Sequence, residues 1–139
     1  MALLSVEKTL TLAAAKQIAQ AAETLAAANH WNVVIAIVDS GSNLLYLERM
    51  DGALVGSVVI SQHKARTAAQ FKCLTKDFET GLAAGSTSLL KLDILPYEGG
   101  VPIIADGSIV GAIGVSGGTP AQDGQVAQAG SDWLGSALK

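Results

Sequence analysis

The sequence is poor in cysteine and in charge. Cys73 is the only cysteine, which excludes an internal disulfide and is typical of a protein from a reducing compartment. Charged residues make up 15% of the chain, against about 25% in an average globular domain, while 50% is hydrophobic. We expect residues 1–139 to form one domain. Since so small a domain cannot bury all of its apolar side chains, the composition favours a homo-oligomer.

Other features that the sequence lacks exclude further classes of partner and location. The net charge is −3 and the nine Lys and Arg residues are scattered, so we expect no nucleic-acid partner. No stretch reaches the roughly 18 apolar residues of a membrane span, so we expect no membrane partner either. The first apolar segment is preceded by Glu7 and Lys8 and interrupted by Lys16 and Glu23, unlike a signal peptide. We therefore expect a cytoplasmic protein.

The motifs of metal sites and of common catalytic sites are also missing. The chain has no Cys-x-x-Cys-His, no His-x-x-x-His and no carboxylate cluster with metal spacing, so we predict no metal site of this kind. The pair Gly111 and Gly114 lies within a predicted strand, which excludes a dinucleotide fingerprint. A hydrolytic triad could be assembled only from Ser116, His63 and Asp123, without the usual nucleophile motif, and we do not favour one.

Apolar spacing and turn residues predict a mixture of helices and hairpins. The predicted elements are helix 11–28, strands 32–38 and 43–50, helix 54–71, short helical segments 76–84 and 86–92, a hairpin over 102–115, and helix 120–138. Asp106-Gly107 is a strong turn signal within the last hairpin. The order lacks the alternation of parallel βαβ units and predicts an α+β domain with an antiparallel sheet.

The faces of the first two long helices follow from the same spacing. The apolar stripe of helix 11–28 consists of Leu12, Ala15, Ile18, Ala22 and Leu25. The stripe expected to face the sheet from helix 54–71 consists of Val55, Val58, Val59, Gln62, Ala65 and Ala69. Ser57, Ser61 and Lys64 share another face of that helix, which we expect to point away from the stripe.

Glycines border the last hairpin on both sides. Gly99 and Gly100 precede it, and Gly117 and Gly118 follow it after Ser116. Glycine leaves backbone N–H groups uncovered, so these positions are candidate ligand-binding residues. Next in the chain, Thr119 is the predicted N-cap of the last helix, Pro120 its first residue, and Asp123 an acid of its first turn.

Four segments carry a family resemblance. VDSGSNLLYLERMDGA (38–53), HKARTAAQF (63–71), GGVPI (99–103) and VGAIGVSGGTPAQD (110–123) together resemble the GlcG/HbpS family of small haem-associated proteins. The chain also resembles the C-terminal domain of PduO-type proteins. The resemblance covers nearly the whole chain and implies a profilin-like antiparallel sheet flanked by helices. It further implies a hexamer or octamer and a haem or tetrapyrrole ligand.

The resemblance also draws attention to particular residues. Lys64 belongs to its second motif and could present a cation to an anionic ligand, or be a solvated surface lysine. Asp123 favours the positive end of a helix dipole, and could also orient a ligand or pair with Lys64. Arg49 belongs to the first motif, where a structural ion pair is the simpler role. Tyr97 stands beside Gly99-Gly100 and could line the mouth of a pocket.

A haem iron needs an axial ligand, and several residues could supply one. The candidates by residue type are His30, Met50, His63, Cys73 and Tyr97. His63 is the best placed, because it adjoins the motif residue on the same helix. It lies with Ile60, Thr67 and Phe71 on another stripe, so a histidine in an oligomer interface is the alternative.

Two hypotheses about function follow, from different classes. The first is an oligomeric module that binds haem or a related tetrapyrrole for sensing, storage or delivery. The second is a small lyase, isomerase or hydrolase acting on a small carboxylate or carbonyl compound. In that enzyme Lys64 would bind the substrate, the glycine N–H groups would donate hydrogen bonds, and Glu98 or Asp123 would move a proton. A structural scaffold without a ligand is a third alternative.

Overall fold

A computed structural model describes all 139 residues. The helices are α1 (Leu12–Ala28), α2 (Ser57–Phe71), α3 (Thr75–Ala83) and α4 (Pro120–Ala137), with a short 3-10 helix at Thr87–Lys91. The strands are β1 (Val34–Asp39), β2 (Leu44–Arg49), β3 (Gly100–Ala105) and β4 (Ser108–Ser116). The predicted elements are confirmed with small shifts at their ends.

The four strands form one antiparallel sheet in the order β2-β1-β4-β3. The central strands β1 and β4 pair along the whole of β1, with Val34 opposite Ser116 and Asp39 opposite Gly111. Strands β2 and β3 form the two edges. The predicted α+β class, an antiparallel sheet flanked by helices, is confirmed.

Local rules explain the turn and the helix start that flank β4. Asp106 and Gly107 both have positive φ, 51° and 77°, as the tight turn between two twisted strands requires. Thr119 accepts a hydrogen bond from Gln122 N, and the Gln122 side chain accepts one from Thr119 N. This capping box and the following Pro120 start α4 where the sequence predicts it.

Successive side chains of each strand point to opposite faces of the sheet, and side chains are buried on both faces. Ile35 and Ile37 point to one face, where α1 and α4 complete a cluster of 18 buried residues. Ala36 and Val38 point to the other face, where α2 completes a cluster of six buried residues that is mostly alanine. The molecule therefore has three layers, with α2 packed on the face that carries the candidate site.

The face of α2 that lies against the sheet is the polar face, which the sequence analysis expected to point away from it. Ser57, Ser61 and Lys64 are buried, whereas Val55 just before the helix and Val59 within it are 72% and 71% exposed. The predicted orientation of the polar face was wrong, and of the stripe predicted to face the sheet only Ala65 and Ala69 are buried. In α1, the buried stripe is confirmed at its centre, but Leu12 at its start is exposed.

The close approach of α2 to the sheet explains its orientation. A Cβ at Gly114 would collide with the carbonyl oxygen of Ser61, and one at Gly100 with that of Lys64. The helix backbone thus lies directly over these two glycines. Only small side chains such as that of Ala65 fit between the layers, so the valines turn outward.

Candidate functional site

A buried ion pair between α2 and α4 forms the centre of the candidate site. Lys64 Nζ donates hydrogen bonds to Asp123 Oδ2 at 3.1 Å and to the carbonyl oxygen of Val115 at 2.8 Å. The two charged side chains are only 0% and 1% exposed. The other carboxylate oxygen of Asp123 accepts the N–H of Gly118 at 2.8 Å. The pairing of Lys64 with Asp123, one of the roles considered for Asp123, is confirmed.

Burial disfavours the charged form of both partners. It lowers the pKa of the Lys64 amine from its ordinary value, and the nearby Asp123 carboxylate opposes this by favouring the ammonium ion. Burial also raises the pKa of the Asp123 carboxyl, against the effects of Lys64 and of the Gly118 N–H. Each charge is thus maintained largely by its partner. A lysine whose pKa is lowered is suited to act as a base or a nucleophile.

The segment before β3 passes over this ion pair. The Tyr97 ring lies with its centroid 5.1 Å from Lys64 Nζ, at cation–π distance, and is itself 46% exposed. The negative charge of Glu98 favours the ammonium form of Lys64. Gly99 has φ of 134°, and a Cβ there would meet Val115 O and Lys64 Nζ. Glycine is needed at this position both for its backbone conformation and for the close contact with the amine.

Two further candidate residues lie along the same end of the sheet. Ser116 Oγ is 3.2 Å from Ser57 Oγ of α2, in a buried contact. Arg49 pairs with Val34, which pairs in turn with Ser116, so the three lie on one rung of the sheet and on one face. Two strand spacings separate Arg49 from Ser116, roughly 10 Å. Arg49 is exposed and stands apart from the buried ion pair.

Two of the glycine N–H groups form hydrogen bonds within the protein. Gly118 N–H is donated to Asp123, and Gly100 N–H is donated to Thr75 Oγ1 at 2.8 Å. These contacts tie the loops to α4 and α3 rather than presenting donors to a ligand. A small cavity of about 170 Å³ lies beside them, lined in part by Glu98, Gly99 and Gly100.

His63 lies one residue before Lys64 on α2 and faces the segment that follows the 3-10 helix. Its Nε2 atom is 3.2 Å from Oδ1 of Asp93, whose carboxylate is also 3.4 Å from Arg66 Nη2. The Nε2 atom is shielded from solvent, but its contact with Asp93 lacks hydrogen-bond geometry, so it has no hydrogen-bond partner. An imidazole nitrogen without a partner is chemically suited to bind a metal.

The other residues considered as iron ligands are less well placed. His30 is exposed just beyond the end of α1, and Met50 packs against the main apolar cluster. Burial and the nearby Asp77 raise the pKa of the Cys73 thiol, which disfavours the thiolate that an iron would require. Tyr97 covers Lys64. His63 therefore remains the candidate whose buried nitrogen makes no hydrogen bond, although the Asp93 carboxylate lies 3.2 Å from it.

The largest feature that the sequence did not indicate is a groove of about 810 Å³ along the free edge of β3. Its lining comes from α3, β3, β4, α4 and the turn after α2, and includes Cys73, Leu74, Val101, Ile104, Ile109 and Gln128. No single stretch of sequence carries a signal for it, because the lining residues come from distant segments.

No group of three or more His, Cys, Asp and Glu side chains is arranged to hold a metal ion. None of the helices is long and apolar enough to cross a membrane.

Comparison with known proteins agrees with the fold. The model of a family described as haem degrading protein HbpS-like matches residues 10–132. A 15.0 kDa protein from the dhaT-dhaS intergenic region of Citrobacter freundii is 42% identical over 130 residues, 89% of this chain and 91% of its own length. Protein GlcG of Escherichia coli K12 is 45% identical over 103 residues, 73% of this chain and 77% of its own length.

Solved structures show the same architecture. The Klebsiella pneumoniae protein ORFY has a TM-score of 0.91 at 38% identity, covering 100% of this chain and 99% of its own. HbpS has a TM-score of 0.87 at 34% identity, covering 95% and 94%. The haem complex of PduOC has a TM-score of 0.79 at 29% identity, covering 89% and 94%.

Proposed function

Because the chain belongs to the HbpS-like family of haem-degrading proteins, we propose that it binds haem or a related tetrapyrrole for sensing, storage or delivery. We further propose that it does so in the cytoplasm, as a homo-oligomer of the hexamer or octamer type. A relative of the same fold, PduOC, has been crystallised with haem.

The observation on this chain that carries the proposal is the Nε2 atom of His63. It is a buried nitrogen without a hydrogen-bond partner, and a histidine nitrogen is a common axial ligand of haem iron. Buried polar atoms are normally satisfied, so an orphaned one calls for an explanation such as a missing ion. We assign His63 as the residue that would hold the iron.

Apolar and cationic side chains near His63 could contact a ligand with carboxylate arms. Ile60 lies one turn before it on α2 and Phe71 two turns after it, and both are partly exposed, at 39% and 44%. Arg66 is close by and 38% exposed, so its guanidinium could pair with a carboxylate. Haem bound here would supply iron redox chemistry, while the chain would supply the imidazole, apolar cover and a cation.

A haem titration of the purified protein, followed by the Soret absorbance, tests this function. We expect saturable binding near one haem per subunit. His63→Ala should weaken it by about tenfold or more, since it removes the axial donor. His30→Ala, which alters the only other histidine, is the matched control and should bind like the wild type. Absence of saturable binding would reject the proposal, and equal binding by the His63 variant would reject the assigned ligand.

A second candidate function has its own supporting observation. Burial lowers the pKa of the Lys64 amine, and the cavity of about 170 Å³ lies beside Gly99, which contacts that amine. The site would suit a small carboxylate or carbonyl substrate, with Glu98 or Asp123 moving a proton. Arg49, Tyr97, Ser116 and Gly117 remain proposed ligand-binding residues of this second site. Gly100 and Gly118 would shape it, since their N–H groups are bonded to Thr75 and Asp123.

Chemical trapping distinguishes this second function. An amine that condenses with a small 2-oxo acid releases water and forms an imine, which borohydride reduces to a stable adduct. With pyruvate as the probe, the enzyme hypothesis predicts an adduct at Lys64 that is lost in Lys64→Met and kept in Lys76→Met. Labelling of exposed lysines alone would argue against it.

A further inference from the structure

Residues 1–7 form an arm whose apolar side chains lie in solvent, and we refer to it as the apolar arm. Its large apolar side chains are all at least 89% exposed: Met1, Leu3, Leu4 and Val6. The arm joins the rest of the molecule at Lys8, whose Nζ is 2.8 Å from Asp106 Oδ2 in the turn between β3 and β4. Exposure of apolar side chains to water is unfavourable, so the arm has surface to bury that its own subunit does not cover.

The groove along β3 offers apolar surface of matching length. Leu74 and Ile104, which line it, are 37% and 54% exposed. Six extended residues span about 20 Å, and the six-residue strand β3 has the same length. Residues 1–6 of the arm are therefore long enough to lie along the groove.

The backbone of β3 offers few partners at this edge. Pro102 has no N–H, and its carbonyl oxygen accepts a hydrogen bond from Ser131 Oγ at 3.0 Å. The N–H of Gly100 is donated to Thr75 Oγ1. An added strand would therefore find little backbone to pair with, and a segment that binds here must bind through its side chains. The apolar arm meets that requirement.

The arm leaves its own subunit beside this groove but does not enter it. Lys72 and Ile109 line both the groove and the smaller cavity at which Val6 lies. No residue of the arm lines the groove of its own subunit. In two copies related by a two-fold axis, the arm of each would reach the groove of the other, and both contacts would form together.

We propose that the apolar arm of one copy of this chain docks in the β3 groove of a second copy, and that this exchange joins subunits of the homo-oligomer. The inference rests on the proposed homo-oligomer and is independent of haem. In an extended arm Leu4 and Val6 project to the same side, so these two side chains enter the groove.

Disulfide crosslinking of Leu4→Cys to the native Cys73 tests this contact. Cys73 is the only cysteine of the chain, and it lines the groove. After mild oxidation with copper phenanthroline, we expect a disulfide-linked dimer on non-reducing gels, with mass spectrometry of its peptides showing position 4 linked to Cys73. Docking raises the effective concentration of the two thiols to about millimolar, so the yield should exceed that of the control by on the order of tenfold. The control is Gln17→Cys, at an exposed position of α1.

A charge in the groove should prevent the same crosslink. Ile104 is more than half exposed, so Ile104→Glu leaves the core of the subunit intact. Added to Leu4→Cys, it should reduce the dimer to the yield of the Gln17→Cys control. Gln17→Glu, which adds the same charge outside the groove, should leave the yield unchanged.

The other occupants of the groove give different products. A disulfide between Cys73 and the introduced cysteine within one chain places the arm in its own groove and overturns the exchange. A dimer linked only through the two introduced cysteines, a yield no higher than the control, or a yield unaffected by Ile104→Glu overturns the docking.

Light scattering on the wild type separates these failures from that of the proposed oligomer. An oligomeric mass without the crosslink to Cys73 overturns the docking alone. A monomeric mass overturns the proposed oligomer, and the exchange with it.

Discussion

At the scale of single residues, the stability of the protein depends on the ion pair between Lys64 and Asp123. Both are buried, and each maintains the charge of the other against the cost of burial. Removal of one partner leaves an isolated charge beneath α2. The Gly118 N–H stabilises the carboxylate further but carries only a partial charge.

Lys64→Met should therefore destabilise the protein by about 3–5 kcal/mol at neutral pH. Burial raises the pKa of Asp123 above its value in the unfolded chain, and loss of the lysine removes the main opposing effect. The folded protein then binds the proton more tightly, so this contribution to stability is fully present below the unfolded pKa and is lost as the pH rises. Urea denaturation at pH 5 and pH 8 should show a smaller deficit, relative to wild type, at pH 5.

The matched control for this pH effect is the double variant Lys64→Met/Asp123→Asn. It lacks the titrating carboxyl and should show no recovery at acid pH. A Lys64→Met deficit that is constant with pH, or no deficit at all, would contradict the mutual dependence of the pair.

The sequence indicates both residues of this pair, Lys64 and Asp123, and their pairing is one of the roles it suggests, but it does not indicate that the pair is buried. The burial of Lys64 could not be seen, because it depends on α2 lying directly on Gly100 and Gly114, which are distant in sequence. The contact between His63 and Asp93 was missed for the same reason, since no local pattern connects them.

At the scale of elements, the close packing of α2 on the sheet determines which side chains are buried. Turn and cap rules correctly placed the Asp106-Gly107 turn and the start of α4, because those features depend on neighbouring residues. Of the stripe predicted to face the sheet from helix 54–71, Ala65 and Ala69 are buried but Val55 and Val59 are exposed, because apolar spacing assumes room for valine between the layers. The signal that could have corrected it is the occurrence of glycine within strands, which marks close approach of another backbone.

Replacement of these glycines tests the packing. Gly114→Ala places a Cβ against the backbone of Ser61 and Ala65, so we expect a loss of about 1–3 kcal/mol in the free energy of unfolding. Gly135→Ala in α4 is the matched control, because a Cβ there meets nothing within 4 Å. It should gain up to about 1 kcal/mol from helix propensity. Denaturant midpoints that do not separate the two variants would contradict the packing account.

At the scale of the whole molecule, a large part of the apolar composition stays on the surface. Leu54 and Val55, just before α2, and Val59, in its first turn, are 72%, 72% and 71% exposed. An exposed apolar patch of this kind is typical of an interaction surface. These exposed apolar side chains are consistent with the homo-oligomer that the composition favours.

We expect light scattering coupled to gel filtration to give the mass of a hexamer or octamer for the wild type. Val59→Glu should lower that mass, because it places a charge in the proposed interface. Gln125→Glu, an exposed position on α4, carries the same charge change and should leave the mass unaltered. A monomeric wild type would reject the oligomer, and an unaltered Val59→Glu mass would place the interface elsewhere.

Electron–nuclear double resonance of the ferric haem complex, made with ¹⁵N-histidine protein, shows whether His63 holds the iron. We expect a nitrogen-15 coupling from one axial imidazole, which persists in His30→Ala and disappears in His63→Ala. A complex without that coupling, or one whose coupling survives the loss of His63, would contradict this assignment.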